Sequence, residues 1–515
     1  MLFNSYGFIF LFLPLTLLGF FAIAGINRKL AAGWLAACSL FFYGWWNPVY
    51  VLLLVGSFLF NYAMGISIVR TRGITRGKCL LVFAVAANLA LLGYFKYANF
   101  FLENISALIG GADTSPIRIV LPLGISFFTF TQIAFLVDAH QGKAEEYSFT
   151  NYALFVTYFP HLIAGPILHH REMMPQFGVA AIYRPDYDKI ATGLTIFVIG
   201  LFKKVLIADG VATYVAPVFN APQAGVTLTF LEAWCGALAY TFQLYFDFSG
   251  YSDMAVGLSL MFGIRLPINF HSPYKAVNII EFWRRWHITL SRFLRNYLYF
   301  PLGGNRKGPA RRYVNLMVTM LLGGLWHGAG WTFVAWGGLH GVYLVINHAW
   351  RALRARLGHD LKSPTRWSRA ASCAVTFVAV VAGWVVFRAD SLGTAEAILR
   401  AMAGMNGFVL PDVWLARWGG FGEWLASQGV VFGATAGLPR TGIVHWIWIL
   451  LLIVWFAPNT QQITAAFKPA LNMPDEPAPW FTWRPSAVAA AVTAGMAVAV
   501  LINLQRYSEF LYFQF

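Results

Sequence analysis

Two of the eleven histidines in this 515-residue chain stand where a group that exchanges protons near neutral pH could do chemistry. His327 lies in MLLGGLWHGAGWTFVAWGGLHG, an apolar stretch rich in Gly and Trp with no acid nearby. Ionisable side chains inside apolar segments are costly and usually functional. The plain alternative is a core histidine bonded to a carbonyl, but the flanking glycines, which admit a ligand or a second helix, favour function. His340 follows thirteen positions on. At about 100° per residue it falls near the opposite side of a helix, so the two do not pair on one straight helix.

His287 is the second candidate. From Asn278 to Tyr299 the residues Ile279, Phe282, Trp286, Leu290, Phe293 and Tyr297 recur at three- and four-residue steps, which predicts an amphipathic helix. On that helix Arg284 and Ser291 share the face of His287. It is either an interfacial helix with snorkelling arginines or an internal helix turning a basic, His-bearing face to a cavity. Asp247 and Asp253, in QLYFDFSGYSDMA, read as buried acids that link helices. His169 and His170 sit beside an Arg-Glu step and read as part of a loop at the membrane face. Cys38, Cys79, Cys235 and Cys373 are far apart in sequence, and no metal-ligand spacing, GxSxG elbow, Walker A loop or HExxH motif is present, so no metal site is expected. A buried imidazole with a basic cavity suits acyl transfer from a thioester. The neutral ring takes the acceptor's proton, the thioester is already activated, and arginines hold the phosphates of the carrier. The residues permit this chemistry without selecting it.

The elements that position these residues must be membrane helices. The chain is 58% hydrophobic and 11% charged, whereas a soluble domain carries about 25% charged residues. Helices satisfy their own backbone in lipid, which predicts an all-α integral membrane protein. Apolar segments lie at 7–26, 30–46, 49–69, 79–97, 118–138, 148–168, 190–208, 226–246, 250–264, 313–325, 330–348, 370–388, 443–457 and 485–505. Several are short, so we expect roughly eleven crossings, with the rest re-entrant. The net charge of +16 fits Lys- and Arg-rich cytoplasmic loops rather than nucleic acid. Arg28 and Lys29 after the first span and Arg70, Arg72, Arg76 and Lys78 after the third mark that side. Both termini and the segment 389–442 then lie outside. The apolar N-terminus lacks a basic leader region and a small-residue cleavage site, so it reads as a retained helix. A single membrane domain over 1–515 is the simplest division, with its motif core at 243–341 and an aromatic tail at 506–515.

The stretches PHLIAGPI, QLYFDFSGYSDMAVGLSLMFGI, NFHSPY, EFWRRWHITLSRFLRNYLYFPLGGNRKG and LLGGLWHGAGWTFVAWGGLHG resemble the membrane-bound O-acyltransferase family, and most closely its alginate O-acetyltransferase branch. The resemblance implies a ring of tilted helices around a central tunnel. It places the family's invariant histidine on His327 and a second functional histidine on His287. Trp283, Arg284, Arg285, Ser291, Trp326 and Asn269 become candidates for lining the tunnel that takes the donor. That donor would be cytoplasmic acetyl-CoA, with no bound cofactor. The setting would be a bacterial inner membrane. The acceptor would be the hydroxyl of an exported polysaccharide, reached through an extracytoplasmic acetyltransferase partner. The C-terminal FLYFQF resembles the aromatic tail of this branch, which makes Tyr512 a candidate acyl carrier on the periplasmic side; simple interfacial anchoring is the alternative.

Overall fold

Glycines spaced seven apart bring two helices at the centre of the molecule into backbone contact. In a computed structural model, which describes residues 1–110, 117–144, 148–360, 365–434, 442–477, 479–504 and 511, the helix Tyr187–Phe202 lies along the 32-residue helix Phe230–Met261. A Cβ on Gly193 would meet the carbonyl oxygen of Gly257 at 2.6 Å, and one on Gly200 the carbonyl of Gly250 at 2.6 Å. Close approach through small residues is the usual means of packing helices in membranes, where lipid offers no hydrophobic drive between them. The sequence predicted two segments, 226–246 and 250–264. They are one helix, because Gly250 serves this contact and does not break the chain. The helix opens on a capping box, with Glu232 accepting the Thr229 N–H at 2.9 Å. It is almost wholly buried within the protein, so its residues face protein and need not be lipophilic.

Five described helical runs are long and apolar enough to span a membrane: Gly7–Ala24, Val49–Arg70, Thr75–Leu108, Tyr187–Asn220 and Arg366–Arg388. Three shorter apolar helices join them, Ile125–His140, Ile443–Phe456 and Ala487–Asn503. The fold is all-α and membrane-spanning. The described residues add only two three-residue strands, Val409–Pro411 and Val431–Gly433, paired in parallel. Those strands and the helices Leu392–Met402, Asp412–Trp418 and Gly420–Ser427 give structure to the segment expected as a long loop.

The expected span at 148–168 is also different. Helix Phe149–Thr157 stops at Tyr158, a four-residue turn Phe159–Leu162 follows, and the chain then runs irregularly to His169. Pro160 removes a backbone donor, and Gly165 and Pro166 prevent the helix from resuming. Irregular backbone at this depth requires burial inside protein, and Phe159–Leu168 is buried throughout.

The central helix also separates two ends of the molecule. Near Phe230, Trp234 Nε1 donates to Met402 O at 3.0 Å and Asn406 donates to Leu228 O at 2.9 Å. Near Met261, Gln176 donates to Arg265 O at 3.0 Å, Arg171 to Lys143 O at 2.8 Å, and Arg72 packs on Gly142. The regions around 390–406 and 70–78 therefore lie at opposite ends of a helix about 48 Å long.

Candidate active site

His327 is the last residue of the helix Gly308–His327, and Gly328–Gly330 turn the chain into the helix Trp331–Arg356. The two helices touch where Gly324 meets Gly337, with a Cβ on the first falling 3.0 Å from the Cα of the second. A helix end leaves carbonyls without partners. Here Lys96 Nζ donates to Trp326 O at 2.6 Å and to His327 O at 3.0 Å, and Tyr97 Oη donates to Leu325 O at 2.8 Å. Lys96 lies on a widened helical turn, Gly93–Tyr97, in the long run Thr75–Leu108. A cation also complements the negative end of the helix dipole. Nothing in the local sequence marks Lys96 as the cap of an element more than two hundred residues away. The one available hint was its position as a lone cation in an apolar segment.

His287 stands at a break. The structure corrects the continuous helix predicted over 278–299. It comprises Ile279–Arg285, then Ile288–Leu294, then a widened turn Arg295–Tyr299. His287 adopts the left-handed conformation (φ 41°, ψ 55°), which non-glycine residues seldom take and which concentrates at functional sites. The segment before it supplies the missing hydrogen bonds, with His271 N–H donating to Arg285 O and Ile288 N–H to Asn269 O, each at 2.9 Å. The i−3 relation of Arg284 to His287 is lost with the helix, whereas Ser291 keeps its i+4 relation, its N–H donating to His287 O at 3.0 Å.

Asn269 fixes the His287 ring. Its Oδ1 accepts from the Thr289 backbone N–H at 3.3 Å and from the Thr289 hydroxyl at 2.9 Å, and it lies 3.1 Å from His287 Nδ1. A backbone N–H only donates, so the atom facing it is the amide oxygen. His287 Nδ1 must then carry the hydrogen, which leaves the lone pair of the neutral ring on Nε2. Asn269, a candidate for lining the tunnel, is the residue that sets this tautomer.

The ring centroids of His287 and His327 are 6.4 Å apart, with the planes inclined at 63°. Trp326 sits beside both, at 6.1 Å and 5.0 Å. Phe248 packs edge-on against His287 at 4.8 Å, while Trp336 and Phe387 pack on His327 at 5.1 Å and 5.4 Å. His340 lies beyond Trp336 (4.8 Å) and Trp283 (5.3 Å), in the next layer of the aromatic cluster. The basic residues divide. Arg285 bonds Glu281 at 2.9 Å and His271 O at 3.2 Å, so it braces the break, whereas Arg284 is exposed. Ser291 is half-buried, 3.5 Å from Trp286 O.

A polar layer links this site to the end of the molecule near residue 265. Arg292 grips Glu172 through two bonds of 2.6 Å and 2.7 Å, and Asn472 donates to the same carboxylate at 2.8 Å. Burial alone would raise the Glu172 carboxyl, but Arg292 outweighs it and holds the group below the ordinary range. Tyr297 donates to Asp138 at 2.9 Å and bonds His169 at 3.1 Å, while His170 lies 3.4 Å from Asp138. Among the described residues no cluster of His, Cys, Asp or Glu could hold a metal. Asp253 links Lys203, Thr460 and Gln461 at 2.6, 2.6 and 2.8 Å, the linking role expected for it. Asp247 pairs with Lys204 at 2.7 Å and accepts the Leu511 N–H at 3.2 Å. Tyr512 lies outside the described residues.

Two neutral-capable imidazoles thus meet in a buried aromatic centre, one with its tautomer set and the other on an anchored helix end. The model of the membrane-bound O-acyltransferase family matches residues 86–385, a range that holds both histidines, Lys96 and Asn269. The chain is 46% identical to the peptidoglycan O-acetyltransferase of Helicobacter pylori over 80% of this chain and 81% of that one. It is 38% identical to a probable alginate O-acetylase of Pseudomonas putida over the full length of both. Identity to the teichoic acid D-alanyltransferase of Bacillus subtilis is 28%, over 53% of this chain and 70% of that one.

Proposed function

Since the chain belongs to the membrane-bound O-acyltransferase family, we propose that it passes an acetyl group from acetyl-CoA on one face of the membrane towards the hydroxyls of an exported polysaccharide on the other. It is a multi-pass membrane acyltransferase. The observation that carries the finer reading is the buried pair His287 and His327, 6.4 Å apart within the family's own motifs.

In this reading the thioester carbonyl is held between the two rings. His327 takes the proton of the attacking hydroxyl as the new ester bond forms, and the thiolate of coenzyme A leaves and is reprotonated. His287, whose Nε2 carries the lone pair, positions the donor or passes that proton. With the donor on one side of the membrane and the glycan on the other, a small carrier is needed to present the acetyl group. The aromatic tail supplies one: Tyr512 follows Leu511, a buried residue whose amide bonds Asp247. A partner enzyme outside then moves the group to the glycan. Cytoplasmic acetyl-CoA, a bacterial inner membrane and alginate complete the first reading. Peptidoglycan is the second, favoured by the 46% identity to the Helicobacter pylori enzyme.

The test uses the purified full chain in lipid nanodiscs with acetyl-CoA and follows release of the free thiol. The wild type is expected to cleave the thioester in the presence of an acceptor alcohol. The His327→Ala variant should be slower by about 10²–10⁴-fold, the usual value of a general base. Equal rates in the two proteins exclude His327 as the base. Acetyl analysis of exopolysaccharide and of peptidoglycan from a strain lacking the gene then separates the two acceptors.

A further inference from the structure

At the end of the molecule away from residues 390–406, the corner between Val49–Arg70 and Thr75–Leu108 meets the end of the helix Ile125–His140. A cavity of about 700 Å³ lies between them, lined by Arg72, Ile74, Thr75, Lys78 and His140 among others. Neither Arg72 nor Lys78 has a carboxylate within ion-pair distance among the described residues. His140 Nδ1 is buried without a hydrogen-bond partner. Arg70 and Arg76 add positive charge from the same corner, and Lys143 adds it from the far side. The acid nearest in sequence among the described residues, Asp138, is occupied by Tyr297 and His170.

The Arg72 side chain is exposed, and its guanidinium lies against the backbone of Gly142. It packs on Gly142, a residue in the left-handed conformation (φ 70°), so closely that no Cβ fits between them. Ile74, between the two cations, is exposed. The same combination recurs at the corner between Gly7–Ala24 and Arg28–Gly44. There a cavity of about 350 Å³ is lined by exposed Ile26 together with Arg28 and Arg184. An exposed isoleucine beside cations that have no carboxylate partner among the described residues suits an interface where a phosphate lies next to the start of an acyl chain. A site for a soluble anion has no use for that apolar rim.

We infer that the cavity at Arg72 and Lys78 binds a phosphate group, supplied by an anionic phospholipid of the adjoining leaflet. The guanidinium and ammonium pair with the phosphate oxygens, the Thr75 hydroxyl donates to them, and Ile74 meets the acyl region. Arg72 and Lys78 belong to no part of the acyl-transfer site, so this binding stands apart from the proposed chemistry.

Native mass spectrometry of the full chain in detergent, titrated with phosphatidylglycerol or phosphatidylcholine, tests the assignment. The wild type should retain a phosphatidylglycerol that phosphatidylcholine does not replace. The double variant Arg72→Gln/Lys78→Gln should bind that lipid about 20- to 30-fold more weakly, the value of two charges at a membrane surface. Gly142→Ala keeps every charge but displaces the guanidinium, and should also weaken retention. If the double variant does not fold, Lys78→Gln and Gly142→Ala carry the measurement alone. Unchanged phosphatidylglycerol retention in the variants overturns the site. Phosphatidylglycerol retention equal in wild type and variants, with inorganic phosphate binding lost only in the variants, makes the source soluble and overturns the lipid assignment.

Discussion

Asn269 shows how one side-chain atom governs another residue's chemistry. Its Oδ1 accepts two donors from Thr289 and thereby obliges His287 to present Nδ1–H, leaving the lone pair of the ring on Nε2. Asn269→Leu keeps the volume and removes the acceptor. We expect kcat to fall on the order of 10²-fold, with KM for acetyl-CoA changed little, because the ring loses its tautomer rather than its place. Asn269→Asp retains an acceptor and should recover part of the rate. Steady-state kinetics of the three proteins measure this, and a wild-type kcat in Asn269→Leu would show that the tautomer of His287 is immaterial.

Elements place these residues through glycine contacts and breaks. The helices Tyr187–Phe202 and Phe230–Met261 approach so closely that a Cβ on a glycine of one would run into a carbonyl oxygen of the other. A side chain at Gly257 has no room, since it would meet the backbone of Gly193 and Phe197, which cannot swing aside. Gly257→Leu should therefore cost about 1–3 kcal/mol or prevent accumulation, and Gly257→Ala less. The thermal midpoint of the detergent-solubilised protein reads the effect; an undiminished midpoint in the leucine variant would contradict this packing. The break at His287 was hidden because the period of apolar residues from Ile279 to Tyr297 continues across it. Periodicity reports which side faces the core, and two short helices in register give the same pattern as one long one.

Across the whole molecule, the 70–78 corner and the 390–406 region lie at opposite ends of the central helix. We propose that the first faces the cytoplasm, on the ground of its excess of arginine and lysine. Single cysteines introduced into a variant lacking Cys38, Cys79, Cys235 and Cys373 report the orientation. On intact spheroplasts, a membrane-impermeant thiol reagent should label positions in 389–442 and spare 70–78. The reverse pattern would exchange the donor and acceptor sides. The carrier proposed for the tail belongs to this scale too, because acetyl-CoA is too charged to cross about 30 Å of hydrocarbon. Tyr512→Phe keeps the ring and removes the nucleophile. It should abolish acetylation of the exported glycan while leaving membrane insertion and thioester cleavage with a small alcohol intact. Normal glycan acetylation in that variant, with no acetyl group on the tail by mass spectrometry, would favour direct transfer.

Composition alone determined that this chain is an all-α membrane protein, because a chain with only 11% charged residues needs lipid around it, and helices satisfy their own backbone there. Local pattern located His327 and His287, since each is an ionisable residue embedded in a specific aromatic and glycine-rich context, and the motifs identified the family. Tertiary structure alone decided what surrounds them. Lys96 reaches the end of the helix carrying His327 from an element 230 residues away in sequence, and Asn269 reaches His287 across a break that the pattern conceals. The same holds for Arg285, a candidate for lining the donor tunnel, whose bonds to Glu281 and to the carbonyl of His271 brace that break. A hydrogen bond depends on the position of two atoms within a few tenths of an ångström, and sequence spacing sets that distance only within a single regular element. Where the partners come from separate helices, packing decides.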